Sequence, residues 1–360
     1  MHRRAVLMAL AASTLRAPVA LAQGQVLPGT ALHFPRDHGA HPDHRTEWWY
    51  ITGEVHAPDR PLPYGFQITF FRSRNDRAGD NPSAFTPRQL LFVHAAVTDL
   101  TGRRLLHDQR IARQGFGLAE ASEADTDLRL RDWTLARQGS PGRSRYTARL
   151  PSREFTLELS FAQTQPVLLQ GEDGYSRKGP EPAQASHYYT QPQLATTGRL
   201  RLHGQDLSVT GRAWLDHEWS EALMHPEAVG WDWIGMNLDD GTALTAFRLR
   251  RRDGSALWSG GSWRPPGQPT RSFGADEVVF HPRRHWTSPA TAARYPVEWA
   301  IETPAGRFQV NTLLDAQELD SRGSTGAIYW EGLSELRDAR GRRLGRGYLK
   351  MTGYASALRL

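Results

Sequence analysis

The chain has 360 residues, 39% hydrophobic and 23% charged, with 33 Gly, 23 Pro, 12 Trp and no cysteine. This is enough apolar material for a real core and too little charge for a disordered chain; the missing cysteines exclude disulfides, thiol catalysis and cysteine-ligated iron–sulfur sites. The net charge of +6 is carried by arginines scattered among acids rather than clustered, which argues against a nucleic-acid partner.

Met1-His2-Arg3-Arg4, the apolar run from Ala5 to Leu15 and then Ala20-Leu21-Ala22 read as a secretory signal peptide over 1–22, cleaved after Ala22. The expected location is periplasmic or secreted, by the Sec route, with Arg3-Arg4 also admitting the twin-arginine route. Removing Arg3, Arg4 and Arg16 with the leader lowers the net charge to +3. No run approaches ~20 apolar residues, so no membrane-spanning helix is expected, although association with a membrane transport system fits an exported chain.

Residues 23–43 are rich in Gly, Pro, His and Asp and predict an irregular arm. Strand-like runs then follow at short spacing. In the first half they are 48–55, 64–72, 90–98, 128–135, 146–150 and 155–161, with long loops at 76–87 and 164–186. The second half continues with 188–190, 195–202, 207–214, 231–238, 243–250, 256–263, 277–280, 297–303, 306–313, 326–336 and 346–355. Helical periodicity is nearly absent, and 100–110 is too short and too basic to assign as a helix, so the fold class is all-β.

An internal repeat divides the chain. Trp48-Trp49-Tyr50-Ile51 aligns with Trp231-Asp232-Trp233-Ile234, and Gly65 to Arg72 aligns with Gly241 to Arg248. Tyr188-Tyr189 leading to Gly211 aligns with Tyr329-Trp330 leading to Gly353, which makes the first half about 41 residues longer. Two tandem β-barrel or sandwich domains follow, 44–215 and 216–360, the chain crossing between them near 216–229.

His44-Arg45-Thr46-Glu47-Trp48-Trp49-Tyr50, Gly174-Tyr175-Ser176 with Lys178-Gly179, Ser186-His187-Tyr188-Tyr189, Trp214 with Asp216 and Glu218-Trp219, and Gly230-Trp231-Asp232-Trp233 together resemble the secreted AttH-like and carotenoid 1,2-hydratase-like family. The resemblance spans nearly all of the chain beyond the leader. It implies a pair of lipocalin-like β-barrels and an apolar polyene or related hydrophobic ligand. Many members are labelled only as predicted secreted hydrolases, but the sequence carries no Gly-x-Ser-x-Gly elbow, His-Glu-x-x-His, phosphate loop or dinucleotide fingerprint.

Side-chain alternation on strands sorts the candidate residues into faces. Asp232 shares a face with Ile234, Met236 and Leu238. An aspartate in that apolar row is expected to be held protonated by desolvation as a general acid, or else to sit at the strand's start and bond a loop. In the repeat as aligned, Asp232 stands where the first half has Trp49. Trp214, Asp216 and Glu218 share one face of the crossing segment, with Leu215, His217 and Trp219 on the other; these polar groups either wall a site or satisfy the backbone at the crossover. Arg45 and Glu47 read most simply as a buried pair, with Glu47 as a second candidate catalytic carboxylate. His38, His41 and His44 recur every third residue but match no standard zinc spacing, so no metal is assigned. His187, Tyr188, Tyr189 and Lys178 could form a polar mouth.

The expected chemistry is hydro-lyase-like addition of water to an isolated C=C bond of a terpenoid or lipid-like substrate. Asp232 would deliver the proton, with Asp216 and Glu218 as further catalytic candidates. Trp214, Trp219, Trp231, Trp233, Trp49, Tyr188 and Met236 would hold the ligand, and water would be positioned by His217. No cofactor is required. The alternatives are a non-catalytic periplasmic carrier of a hydrophobic ligand and a cofactor-free cyclase or isomerase using the same cavity.

Overall fold

The computed structural model describes residues 24–79, 81–222 and 224–358. The signal-peptide reading of 1–22 lies outside them. Among the described residues there is no α-helix, only two 3-10 turns at Arg36–His38 and Asp76–Ala78, and no helix is long and apolar enough to cross a membrane. The all-β, two-domain expectation holds.

Eight principal strands carry the repeat: β1 (Thr46–His56), β2 (Tyr64–Arg74), β3 (Ala185–Leu202), β4 (Gln205–Ser220), β5 (Gly230–Leu238), β6 (Ala243–Arg250), β7 (Ala327–Asp338) and β8 (Arg343–Thr352). The first sheet has 13 strands and places β2-β1-β4-β3 at its centre; the second has 10 and places β6-β5-β8-β7 at its centre, all antiparallel. Residues 216–220 continue β4 inside the first sheet, and the connection to the second runs from Glu221 to Val229.

The first sheet curls until its far ends meet, with Arg104–Arg113 packing against Asp127–Leu130. Arg110 closes that seam, donating to the Pro151 carbonyl at 2.9 Å and pairing with Asp132. Residues 104–113, unassigned from sequence, are an edge strand of this sheet. Strand β3 joins two runs that the sequence reading kept apart. Pro192 cannot donate a ladder bond, and the chain absorbs it with a bulge between Gln191 and Leu194 in which Gln193 takes φ 56°.

Each barrel is filled by the odd or even set of its strands. Trp49, Ile51 and Val55 of β1 point into the first barrel with Leu215 and Trp219 of β4. Ile234, Met236 and Leu238 of β5 point into the second with Leu349 and Met351 of β8. The opposite faces of the same strands are also apolar, and the two barrels bury them against each other: Tyr50, Trp214, Trp233, Phe247, Leu333 and Tyr348 form a third core between the barrels. A strand buried on both faces reads as a continuous apolar run, which explains the density of aromatic residues at 48–50 and 231–234.

The strand pairing corrects the register of the repeat. Glu47 lies opposite Arg72, and Asp232 opposite Arg248. With Arg72 and Arg248 equivalent, Asp232 is therefore the counterpart of Glu47, and Trp233 that of Trp48, two residues away from the alignment by aromatic residues. A two-residue slip keeps every side chain on its face, so alternation alone could not detect it. Trp219 opposite Glu47 likewise matches Met351 opposite Asp232, not a residue beyond Gly353. On this register 172 residues separate Glu47 from Trp219 and 119 separate Asp232 from Met351, so the first half is longer by 53.

Candidate functional site

Glu47 and Asp232 are fully buried, one in each barrel. In the first, the arm lies over the mouth: Trp49 Nε1 and Thr126 Oγ1 both donate to the His38 carbonyl, at 3.0 and 2.8 Å, and His38 Nδ1 meets the Tyr189 hydroxyl at 2.7 Å. Glu47 sits fully buried beneath it. Its carboxylate accepts from the His41 backbone N–H (2.9 Å), His41 Nδ1 (2.7 Å), Arg72 Nε (2.7 Å) and His217 Nε2 (2.9 Å). Burial alone would raise the Glu47 pKa, but His41, His217 and Arg72 outweigh it and hold the carboxyl well below its usual range.

His41, Glu47 and His217 are the one grouping among the described residues with metal-ligand types close together, their donor atoms within 4.8 Å. The carboxylate already has four hydrogen bonds and a guanidinium neutralising it. A divalent cation there would have to displace Arg72, so the cluster is a hydrogen-bonded clamp between arm and barrel. His38 and His44 stand outside it.

The counterpart in the second barrel is Asp232. It is fully buried, 2.8 Å from Arg248 Nε and 3.6 Å from Arg250 Nε, and accepts from the Tyr354 hydroxyl at 2.9 Å. It is not among the residues lining the cavity between the barrels. The expectation of a desolvated acid in an apolar row fails because the neighbouring strand supplies two arginines on the same face. Met236 is core beside it. His217, Trp219 and Trp49 are likewise interior to the first barrel: Trp49 stacks on His217 with ring centroids 4.5 Å apart, and Trp219 stacks on His41 at 3.8 Å. Burial pushes the His217 pKa down to about 4 despite Glu47. These three rings are not among the residues lining the cavity described next, although Glu47 and Arg72 of the clamp are.

That cavity, about 270 Å³, lies between the barrels. Its apolar wall includes Trp48, Phe71, Phe92, Trp231, Trp233 and Phe247, and its polar groups include Tyr50, His94, Lys178, Tyr188, Asp216, Glu218, Tyr329 and Lys350. Strands β1, β3 and β4 present their outer faces from one side, β5, β6, β7 and β8 from the other. Thus Asp216, Glu218, Tyr188, Trp231 and Trp233 come together here, with Trp214 immediately behind.

Asp216 differs from Asp232 in its partners. Oδ1 accepts from Thr190 Oγ1 at 2.6 Å and Trp214 Nε1 at 2.9 Å, and the Tyr188 hydroxyl bonds to the same carboxyl. All three donors are neutral. Burial therefore dominates, opposed only in part by these bonds, and pushes the Asp216 pKa up to about 7. Trp233 Nε1 points at the Tyr188 oxygen from 3.3 Å, giving a row Trp233, Tyr188, Asp216 along the wall. Gly235 makes room for it, since a Cβ there would meet the rings of Trp233 and Trp214. Glu218 is held by Lys178 at 3.0 Å and by Ser186.

A profile of the AttH-like family matches residues 25–354. The chain belongs to the AttH-like family. A solved structure of an AttH protein from Nitrosomonas europaea is 46% identical, with a TM-score of 0.85, covering 92% of this chain and 99% of that one. Two more distant structures share the fold. Kievitone hydratase from Nectria haematococca has 13% identity, TM-score 0.68, and covers 93% of this chain and 98% of that one. CghA with Sch210972 has 12% identity, TM-score 0.54, and covers 94% and 96%. No curated protein sequence matches. The AttH-like chain thus has the lipocalin-like two-barrel fold that its motifs implied.

Sequence reasoning assigned no role to Tyr50, His94, Glu331 and Lys350, and placed Lys178 only at a mouth. A usable signal was present: Lys178 and Lys350 are the only lysines in the chain.

Proposed function

We propose that this AttH-like protein binds a hydrophobic small molecule in the cavity between its barrels and transfers a proton to it, adding water across an isolated C=C bond. The observation that carries this reading is Asp216, a carboxyl with neutral donors only, buried in an aromatic wall and titrating near pH 7. In its protonated form it gives the proton to one alkene carbon. The cation left on the other carbon faces Trp231 or Trp233; water adds to it and returns a proton to the Asp216 carboxylate, so the site is regenerated. His217 is not needed, and no metal or cofactor enters the scheme. The fold shared with a hydratase supports the reading only as analogy. Export to the periplasm, by the Sec or twin-arginine route, belongs to the same proposal, and favours a lipid-like or externally supplied molecule over a membrane carotenoid.

The test is to incubate the protein with terpenoid alkenes and follow product mass. A gain of one water that disappears in Asp216→Asn supports the reaction. Ligands bound and returned unchanged by the wild type defeat it and leave the second reading, a carrier, which the largely apolar cavity wall supports by itself.

A further inference from the structure

The chain has 44 basic residues and only two are lysines, Lys178 and Lys350. Both line the cavity between the barrels. Arginine serves at all other basic positions, including the buried pairs with Glu47 and Asp232. An ammonium in place of a guanidinium matters where a compact charge on a flexible stem must meet a small acceptor.

The two lysines are not alike. Lys178 Nζ is 3.0 Å from Glu218 and donates to Ser176 Oγ at 2.9 Å, with the faces of Tyr188 and Phe247 at 4.7 and 4.3 Å. Its charge is matched and its donors are engaged. Lys350 lies in a similar aromatic cage, 4.6 Å from the Tyr50 ring, 5.4 Å from Tyr329 and 5.7 Å from Phe71. Its nearest carboxylate, Glu331, is 3.6 Å away, beyond a hydrogen bond.

Neither Glu331 oxygen makes a well-formed hydrogen bond, nor does the buried Tyr50 hydroxyl, although Tyr50 and Lys350 lie close enough to stabilise the carboxylate. The strand register shows why. Across each central strand pair lies one three-residue row: Trp48, Glu218 and Tyr188 in the first barrel, Trp233, Lys350 and Glu331 in the second. The first row is completed by Lys178 from a preceding loop segment; the second has only a looser pair, Lys350 lining the cavity and Glu331 3.6 Å behind it. Burial raises the Glu331 pKa against the pull of Lys350 and Tyr50.

We infer that Lys350 is a ligand-binding residue whose ammonium receives an oxyanion, so the molecule taken by this cavity is an apolar body bearing one carboxylate or enolate group, not a bare hydrocarbon. This rests on the reading that the cavity holds a hydrophobic ligand. It does not depend on the proton transfer by Asp216.

The test uses the full chain with N-phenyl-1-naphthylamine as a fluorescent reporter of the cavity. Dodecanoate, 2-octanoylcyclohexane-1,3-dione (an enolate at neutral pH) and dodecanol are compared as displacing ligands. The wild type is expected to prefer at least one of the two anions over dodecanol by ~10-fold or more, the scale of a charge-assisted hydrogen bond. Whichever anion is preferred identifies the oxygen source. Lys350→Met is expected to bring all three within about twofold while keeping its affinity for the reporter, which shows that the cavity is intact.

Equal displacement by anions and alcohol in the wild type overturns the inference without any variant, and so does a preference that survives Lys350→Met. If the preference holds in both wild type and Asp216→Asn while the wild type returns the terpenoid alkenes unchanged, the reaction falls and the anchor stands. If the reporter does not bind the wild type, the cavity reading and the anchor fall together.

Discussion

Glu47 in the first barrel and Asp232 in the second occupy the same place in the repeat, each fully buried and each opposite an arginine on the neighbouring strand. What differs is the segment each one ties down. Glu47 reaches the arm through His41, and Asp232 reaches the C-terminal segment through the hydroxyl of Tyr354. A barrel mouth built from an ion pair and a returning chain segment is thus used twice, with different residues. Asp216 is the contrasting case: an equally buried carboxyl with no arginine, whose pKa goes up where that of Glu47 goes down. The arginine and histidines around Glu47 and the neutral donors around Asp216 account for the opposite directions, and the raised value suits Asp216 to carry a proton at neutral pH.

The largest effect should come from Glu47→Ala. It strands Arg72 and unsatisfies both histidines, and should cost about 5 kcal/mol in urea denaturation, enough to unfold a marginal barrel. An effect below ~1 kcal/mol would mean the clamp is ornamental.

Asp216 should act with the opposite sign. Its folded pKa, about 7, lies above the ordinary aspartate value of 3.8, so its protonated form is favoured by folding. The stability it contributes is complete below pH ~4 and is lost as pH rises to 7, by about 4 kcal/mol at most. Asp216→Asn removes that loss: it should match the wild type at pH 4 and exceed it at pH 8. A variant less stable than the wild type at pH 8 would mean that burial does not disfavour the Asp216 carboxylate.

Asp232→Ala should cost about 3 kcal/mol, less than Glu47→Ala because Tyr354 brings one neutral donor where Glu47 has two histidines. Equal losses for the two would erase the distinction between the barrels.

The smallest effect is that of His41→Gln, about 1 kcal/mol near pH 6. Burial acts to lower the His41 pKa, but Glu47 and Asp37 prevail and the net shift is upward. Its stabilising contribution is therefore present below pH 6.5 and fades as pH climbs through the raised value, so the wild-type and variant denaturation curves should converge in alkaline buffer. Divergence there would show that His41 is held neutral.

Much of the site was legible as faces. Alternation separated Trp214, Asp216 and Glu218 from Leu215, His217 and Trp219, and the strand keeps that division, because a side chain's face depends only on its parity along the strand. The same rule could not say which face was barrel interior and which was the seam between barrels, since both are apolar. That is why Asp232 read as a site acid and Asp216 as one option among several.

By itself the sequence determined the fold class, the doubling of the barrel and the family, because period-two alternation, turn residues and a set of aromatic motifs are local signals. It also contained the two lone lysines, whose meaning is not local. The tertiary structure alone decided the register of the repeat, the pairing of Asp232 with Arg248 and the meeting of Asp216, Tyr188, Trp233 and Lys350 around one cavity. Those contacts join residues far apart in the chain, and they exist only because two curled sheets bury their outer faces against each other.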